Sequence, residues 1–267
     1  MFLKQYRNQF LARSFTGYRL IDQGGKITPL NKMNDIRIDN YRRSKEPFIN
    51  WDMFYYIPFD PKTGITAEPY YPIGTNESTI TMPFILLLTS VEDADFPEQI
   101  ELLYPDIFNK EKAWGFGNDL LSCINGDIVV YSFAASSNVY IYNRKTLEHN
   151  MYEIPSKYMD NLFSPHADNP NEKSTRNGRY YDLRYDPHRN VYWRLQVGPA
   201  KGDYSKRTMS ITQISSDFKK FSELKLPEDM DIFPWLLIGK HGIWMSYVNA
   251  QEEEEMHLLE IPLELFD

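Results

Sequence analysis

The chain has 267 residues, a formal net charge of −8, and 42% hydrophobic against 25% charged residues; this fits one large all-β domain or two small ones and excludes wholesale disorder. Nucleic acid and anionic membrane surfaces both attract a basic stripe, and here the acidic residues are spread along the chain, so neither partner is favoured. A single cysteine, Cys123, excludes an internal disulfide framework, and no apolar run approaches the length needed to span a bilayer.

Aromatic residues reach 15%, with 17 Pro and 13 Gly scattered among them, a composition suited to short pleated strands with frequent breaks. The opening "MFLKQYRNQFLARSF" reads as strand, with Phe2, Tyr6, Phe10 and Leu11 among charges. It lacks an apolar segment followed by a small-residue cleavage site, so no signal peptide is expected in this chain. Its abrupt start suggests a truncated or processed form. Arg42, Arg43 and Lys45 form the densest basic group and read as a solvated loop. Residues 52–64, "DMFYYIPFDPKTG", read as a strand followed by a turn of the same style as that in residues 142–146. "PFILLLTS", 83–90, reads as a fully buried strand. Residues 92–112 hold the one helical pattern, which Pro97 and Pro105 limit to a turn or two. "WGFGND", 114–119, has no strand-to-helix context and reads as a turn rather than a phosphate loop.

From Leu120 the pattern sharpens. Residues 120–154 break at their turn signals into four strands, 120–124, 128–133, 139–142 and 151–154, an antiparallel meander. The same pattern returns at 180–185, 191–197, 209–214 and 221–226. It returns again over 233–265 with three strands and no room for a fourth. Cys123 sits in the apolar run "LLSCI" and reads as a buried, inert thiol. Units of roughly 35 to 50 residues, each a four-stranded meander, are the mark of a β-propeller. A two-sheet sandwich is the alternative, but it does not require the repeat. The expected fold is therefore all-β: one β-propeller domain over residues 1–267 with its clearest blades at 120–154, 180–226 and 233–265, the last completed by a strand from near Met1 or from residues now absent.

The stretches "NGDIVVYSF…NVYIYN", "YYDLRYDPHRNVYWRL" and "GIWMSYV" resemble an uncharacterised family of bacterial six-bladed-propeller-like proteins carrying a domain of unknown function, many made as envelope lipoproteins. The likeness covers roughly residues 105–265. It implies six blades and a place in the bacterial periplasm or cell envelope.

Candidate site residues concentrate in the hairpin "YYDLRYDPHRNVYWRLQVG", 180–198. If Asp186 faces Asn190, then Tyr185 faces Val191, Leu183 faces Trp193 and Tyr181 faces Leu195 on an apolar side. On the other side Arg184 meets Tyr192 and Asp182 meets Arg194, an opposed ion pair that stabilises a sheet by roughly 0.2–1 kcal/mol. An Arg194 stacked on Tyr192 or Trp193 is also a planar clamp for a carboxylate ligand, provided it opens to solvent. Trp114 and His166 join these as weaker ligand-binding candidates. His166 and His188 lie in turn sequences, and no helix presents paired histidines, so no metal site is expected. A carboxylate pair such as Asp119 with Asp186 is what glycan cleavage would use. Trp51, Trp235 and Trp244 complete the tryptophans that could stack on sugars, and "QEEEEMH", 251–257, reads as a solvated hairpin turn. The sequence thus points to a non-enzymatic binding or scaffold propeller of the bacterial envelope, without cofactor, whose partner is an unknown protein or glycan. The alternative is a carbohydrate-active propeller enzyme with carboxylates at the channel mouth.

Overall fold

The computed structural model describes residues 2–14, 17–31, 58–70, 85–93, 97–106, 120–159, 178–200, 207–227, 231–248 and 256–266. Over these the fold is all-β, of β-propeller type, built from consecutive antiparallel meanders. The strands are β1 (Phe2–Tyr6), β2 (Gln9–Ser14), β3 (Gly17–Asp22), β4 (Ile27–Pro29), β5 (Phe59–Asp60), β6 (Ile65–Tyr70), β7 (Ile85–Ser90) and β8 (Pro97–Glu101). They continue with β9 (Leu120–Asn125), β10 (Ile128–Phe133), β11 (Asn138–Asn143), β12 (Glu148–Glu153), β13 (Arg179–Asp186), β14 (Val191–Ala200), β15 (Arg207–Ser215) and β16 (Phe221–Lys225). The last are β17 (Asp231–Ile238), β18 (Ile243–Val248) and β19 (Met256–Glu260), before a 3-10 turn at Leu263–Phe266. Four sheets have four strands each in sequence order, and the fifth, β17-β18-β19, has three.

Three expectations are corrected. The resemblance implied six blades, whereas the described residues form five sheets. The strand completing the last unit was expected from near Met1 or from residues now absent; of these the first is corrected, because β1 pairs with β2 inside its own sheet, from Phe2↔Arg13 to Tyr6↔Gln9. The helical reading of 92–112 fails at residues 97–101, which form β8. Pro97 opens that strand, a position where proline gives up no ladder bond, and Ile100 and Leu102 are buried at alternate positions as in a strand. Residues 107–112 lie outside the described residues.

The chain divides into two compact units. The first holds residues 1–104 with 123–129 and 142–148; the second holds 105–122, 130–141 and 149–267. In the first, Tyr6, Leu11, Tyr18 and Phe59 form a core cluster. β7, buried at five of its six positions, is the apolar strand the sequence predicts. Two tyrosine hydroxyls in this unit donate to carboxylates, Tyr18 to the buried Glu68 and Tyr6 to Glu92 at 2.5 Å. Arg7 also pairs with Glu92. Burial, then the bond to Glu92 and its charge, push the Tyr6 phenol from 10.0 up to about 12. A phenol whose pKa is raised on folding contributes stability that is complete below its unfolded pKa and is lost as pH rises through the folded one. Tyr6→Phe is therefore expected to be less stable than the wild type below pH 10, with the gap closing as pH approaches about 12. Urea unfolding midpoints across that range measure the gap.

One turn recurs in both the first and the second unit. In "DPKTG", "NRKTL" and "DPHRN" the first residue's carbonyl accepts the N–H of the fifth: Gly64 to Asp60 at 2.8 Å, Leu147 to Asn143 at 2.7 Å, Asn190 to Asp186 at 2.9 Å. The first residue's side chain accepts the N–H two residues on, from Lys62, Lys145 and His188, each at 2.9 Å. The fifth residue is left-handed each time, with φ of 71°, 60° and 56°. Glycine and asparagine adopt that conformation readily, whereas for leucine it costs roughly 1–2 kcal/mol. Leu147 is also 68% exposed, so it recovers little by burial. Leu147→Asn is expected to raise stability by about 0.5–1 kcal/mol in a urea titration.

In the second unit the main core cluster lies between the β13–β16 sheet and the β17–β19 sheet. Its centre is Trp193, Leu195, Val197, Met209, Ile211, Leu236, Ile243 and Met245, closed by Ile261 and Phe266. The fixed alternation along β14 sends its odd-numbered residues into this core and its even-numbered ones to the opposite face. That division organises the candidate site.

Candidate functional site

The β13–β14 hairpin forms where the sequence places it, but its register differs by one residue. Asp186 pairs with Val191, Tyr185 with Tyr192, Arg184 with Trp193, Leu183 with Arg194 and Asp182 with Leu195. The cause is the recurring turn: the Asn190 N–H closes onto the Asp186 carbonyl, so four residues rather than three separate the paired positions. In a pleated ladder a one-residue slip exchanges the faces. Asp182 and Arg194 therefore lie on opposite sides of the sheet, and the predicted ion pair between them is corrected.

On the core face, Asp182 accepts Arg184 Nε at 2.6 Å. The Leu236 N–H, where the β17–β18 register is interrupted, donates to the same carboxylate oxygen at 3.4 Å. The pair is mostly buried, with 14% of the Arg184 side chain and 9% of the Asp182 side chain exposed. Trp193 is fully buried, edge-on to Phe266 at 4.9 Å. Its indole N–H donates to Asp186 Oδ2 at 3.1 Å. Asp186, itself fully buried, also accepts the His188 and Arg189 N–H groups and Arg189 Nη1 at 2.7 Å. Arg189 reaches on to the Gly239 carbonyl at 3.2 Å. A carboxylate engaged by four donors is part of the turn's own construction, and Asp119, its imagined catalytic partner, lies outside the described residues.

The opposite face holds Arg194, with no solvent exposure. Its guanidinium lies 3.4 Å above the Tyr180 ring. It donates to three backbone carbonyls: Ser137 at 2.9 Å, Ile154 at 3.2 Å and Ser136. These carbonyls flank β11 and β12, so one side chain on β14 ties the neighbouring sheet's chain ends to its own. Beside it the Tyr180 N–H donates to the Ala134 carbonyl at 2.9 Å. Burial pulls the Arg194 guanidinium from 12.5 down to about 10, partly offset by Tyr180 and Glu223. It remains a cation at neutral pH. Its Nε has no hydrogen-bond partner among the described residues. Glu223 accepts Ser156 Oγ, Ser210 Oγ and the Lys157 N–H, each at 2.6 Å. The Gln196 amide, turned to suit its neighbours, donates to the Arg194 and Ser210 carbonyls at 2.7 and 2.8 Å and accepts from Thr212. The cluster is a buried polar network whose groups serve one another.

Tyr192, on the same face, is 2% exposed and belongs to an aromatic row. Its ring stacks on Phe218 at 4.9 Å and tilts against Tyr185 at 5.1 Å, while Phe218 stacks on Tyr152 at 5.4 Å. Trp244 packs over the β17–β18 turn, where a Cβ on Gly242 would come within 2.8 Å of the indole. Of the candidates named from sequence, the structure brings Asp182, Arg184 and Trp193 to one face and Tyr192 and Arg194 to the other. Trp114, His166 and Trp51 lie outside the described residues, as does the side chain of Trp235. Sequence reasoning missed Tyr180, which the bulge between Tyr180 and Asp182 moves under Arg194, and Glu223. Among the described residues no three His, Cys, Asp or Glu side chains gather as a metal would require, and no helix is long and apolar enough to cross a membrane.

A family model described as a domain of unknown function, DUF4221, matches residues 93–225, just under half of the chain. No curated protein matches. Among solved structures, a DUF4221 family member from Bacteroides vulgatus is 18% identical, covered over 97% of this chain and 75% of its own, with a TM-score of 0.68. That likeness supports the fold. A protein from Bacteroides thetaiotaomicron described as an auxiliary nutrient binding protein is 8% identical over 99% of this chain and 55% of its own, with a TM-score of 0.47.

Proposed function

We propose that this chain is a non-catalytic binding or scaffold module of the bacterial cell envelope. The observation that carries the reading is the use to which the hairpin's charged groups are put. Arg194 spends its guanidinium on three backbone carbonyls, Asp186 its carboxylate on four donors, and Asp182 joins Arg184 to a backbone N–H of β17. General acid–base work needs a carboxyl within reach of a substrate proton; these carboxyls are within reach of the protein's own donors. A binding module needs only a rigid frame, and groups fixed in this way supply one. The place in the envelope rests on the resemblance to a family with many envelope lipoproteins.

The test has two parts. Fractionating the source bacterium with an antibody against this chain is expected to find the protein with the envelope, and recovery with the cytosol would remove that part of the proposal. Incubating the purified chain with a panel of glycans and glycosides is expected to give retention without new reducing ends. Turnover that survives further purification would overturn the non-catalytic reading.

A further inference from the structure

Four of the five sheets have a fourth strand, and the β17–β19 sheet ends at its third. In other sheets the third strand is largely enclosed, as in β7, β11 and β15. β19 instead shows 58% of Leu258 to solvent and leaves Glu260 exposed. One step beyond the Trp244–Glu260 pair of the β18–β19 register, the Ile261 N–H donates to the Ile243 carbonyl at 2.8 Å. Opposed residues of an antiparallel ladder alternate between bonded and unbonded pairs, so Met245 with Leu259 and Tyr247 with His257 are bonded ones. The N–H and C=O groups of Met256, Leu258 and Glu260 therefore point away from β18, off the edge, and among the described residues no strand takes them up.

An open edge is ordinarily guarded by proline, charge or a covering segment. β4 ends in Pro29, β8 opens with Pro97, and β12 begins and ends with glutamate. β16 carries Glu223 and Lys225, and its Ser222 Oγ donates to the Phe266 carbonyl of the 3-10 turn at 3.1 Å. β19 has no proline, lysine or bulge, and its middle is Leu258 and Leu259. Its surroundings in the sequence are acidic: residues 251–267 hold Glu252–Glu255, Glu260, Glu264 and Asp267, and no Lys or Arg.

We propose that β19 is a docking edge for an extended segment of a partner protein, apolar where it meets Leu258 and basic at both ends, which joins the sheet as its fourth strand. The inference rests on the binding reading above and names the chemistry of the partner. Main-chain bonds hold such a strand, and side chains at alternate positions select it. The acidic surroundings oppose a second copy of this chain, because like charges would be drawn together by the new pairing, and they attract a basic strand.

The experiment titrates the whole chain into a labelled synthetic peptide, Lys-Val-Leu-Thr-Val-Lys, read by fluorescence anisotropy and by amide chemical shifts. Binding is expected, with shifts centred on residues 256–260, and it should weaken as salt is added. The same peptide with glutamate at both ends, and the same peptide N-methylated at its leucine, are each expected to bind about tenfold or more weakly. Leu258→Pro removes a donor that points off the edge and keeps the ladder to β18, and the same loss of affinity is expected. Met151→Thr, at an exposed position of β12, is expected to leave binding unchanged. No binding at millimolar peptide, equal binding of all three peptides, or equal binding by the wild type and Leu258→Pro would overturn the proposal. So would dimerisation of the chain itself that Leu258→Pro abolishes, which would give the edge to a second copy. A glycan retained in the panel above with no peptide bound would leave the binding reading standing and sink only this one. Should Leu258→Pro fold poorly, the N-methylated peptide, which leaves the protein untouched, carries the same test.

Discussion

Replacing Arg194 by Met is expected to lower the unfolding free energy by roughly 3 kcal/mol. Methionine fills much of the same volume, so the loss is not one of packing. It comes mainly from the carbonyls of Ser136 and Ile154, which accept from Arg194; the Ser137 carbonyl accepts from Arg194 too but keeps the Ile154 N–H at 3.1 Å. A buried acceptor left without a donor costs about 1–3 kcal/mol. Against this stands relief from burying a cation, the cost that holds Arg194 at about 10. Buried ion pairs are often exchanged for apolar side chains without penalty because both partners can be replaced together. Here the partners are main-chain atoms, which no mutation removes, so the relief offsets the loss only in part. Lysine at the same position delivers its charge at one point rather than across a planar fork, and Arg194→Lys is expected to recover less than half of the difference. Urea titration measures both. Hydrogen exchange separates this clamp from general loosening, because the extra exchange in Arg194→Met should concentrate near Ser136, Ser137 and Ile154. Unchanged stability in Arg194→Met would mean that the polar network carries no load.

How much of this was legible in the sequence depended on whether a feature was written in local pattern. The meander from Leu120 onward follows from alternation and turn residues alone, and its strands lie within a few residues of their expected places. The N-terminal sheet was harder. Its strands carry Lys4, Arg13 and Arg19 among their apolar residues, which masks alternation, so only the opening strand-like run was legible. The error in the hairpin register had a readable antidote. "DPKTG" and "DPHRN" were visibly alike, and a glycine in the fifth position of the first marks a left-handed residue that closes onto the first. Carried across to Asn190, that sign lengthens the turn by one residue and separates Asp182 from Arg194. The burial of Arg194 had a weaker signal, its place between Trp193 and Leu195 in a run whose neighbours are all core. What it would touch was not legible, since Ser136, Ser137 and Ile154 lie some 40 to 58 positions away and offer main-chain atoms that no side-chain pattern announces.

Asp186→Ala tests the other half of the hairpin and is expected to cost about 3 kcal/mol. The alanine methyl leaves the indole N–H of the fully buried Trp193 without its acceptor, at about 1–3 kcal/mol. It also removes the cap on the His188 and Arg189 N–H groups, which in a turn of this kind contributes about 1 kcal/mol. Arg189 loses the anion that aims it, and with it the reason to hold the Gly239 carbonyl in the β17–β18 turn. The disturbance should therefore appear in two places, as a changed tryptophan emission and as faster exchange across that second turn. Asp186→Asn keeps an acceptor for the backbone cap but turns an amide nitrogen toward donors, so it should restore the turn before it restores Trp193. The order of those two recoveries distinguishes a carboxylate that holds the sheet from one that is kept for a ligand: a structural Asp186 predicts a fall in stability with ligand affinity unchanged in whatever fraction stays folded. Its four donors all belong to residues within seven positions along the chain, so the carboxylate completes its own turn first, and the link to the next sheet is made through Arg189.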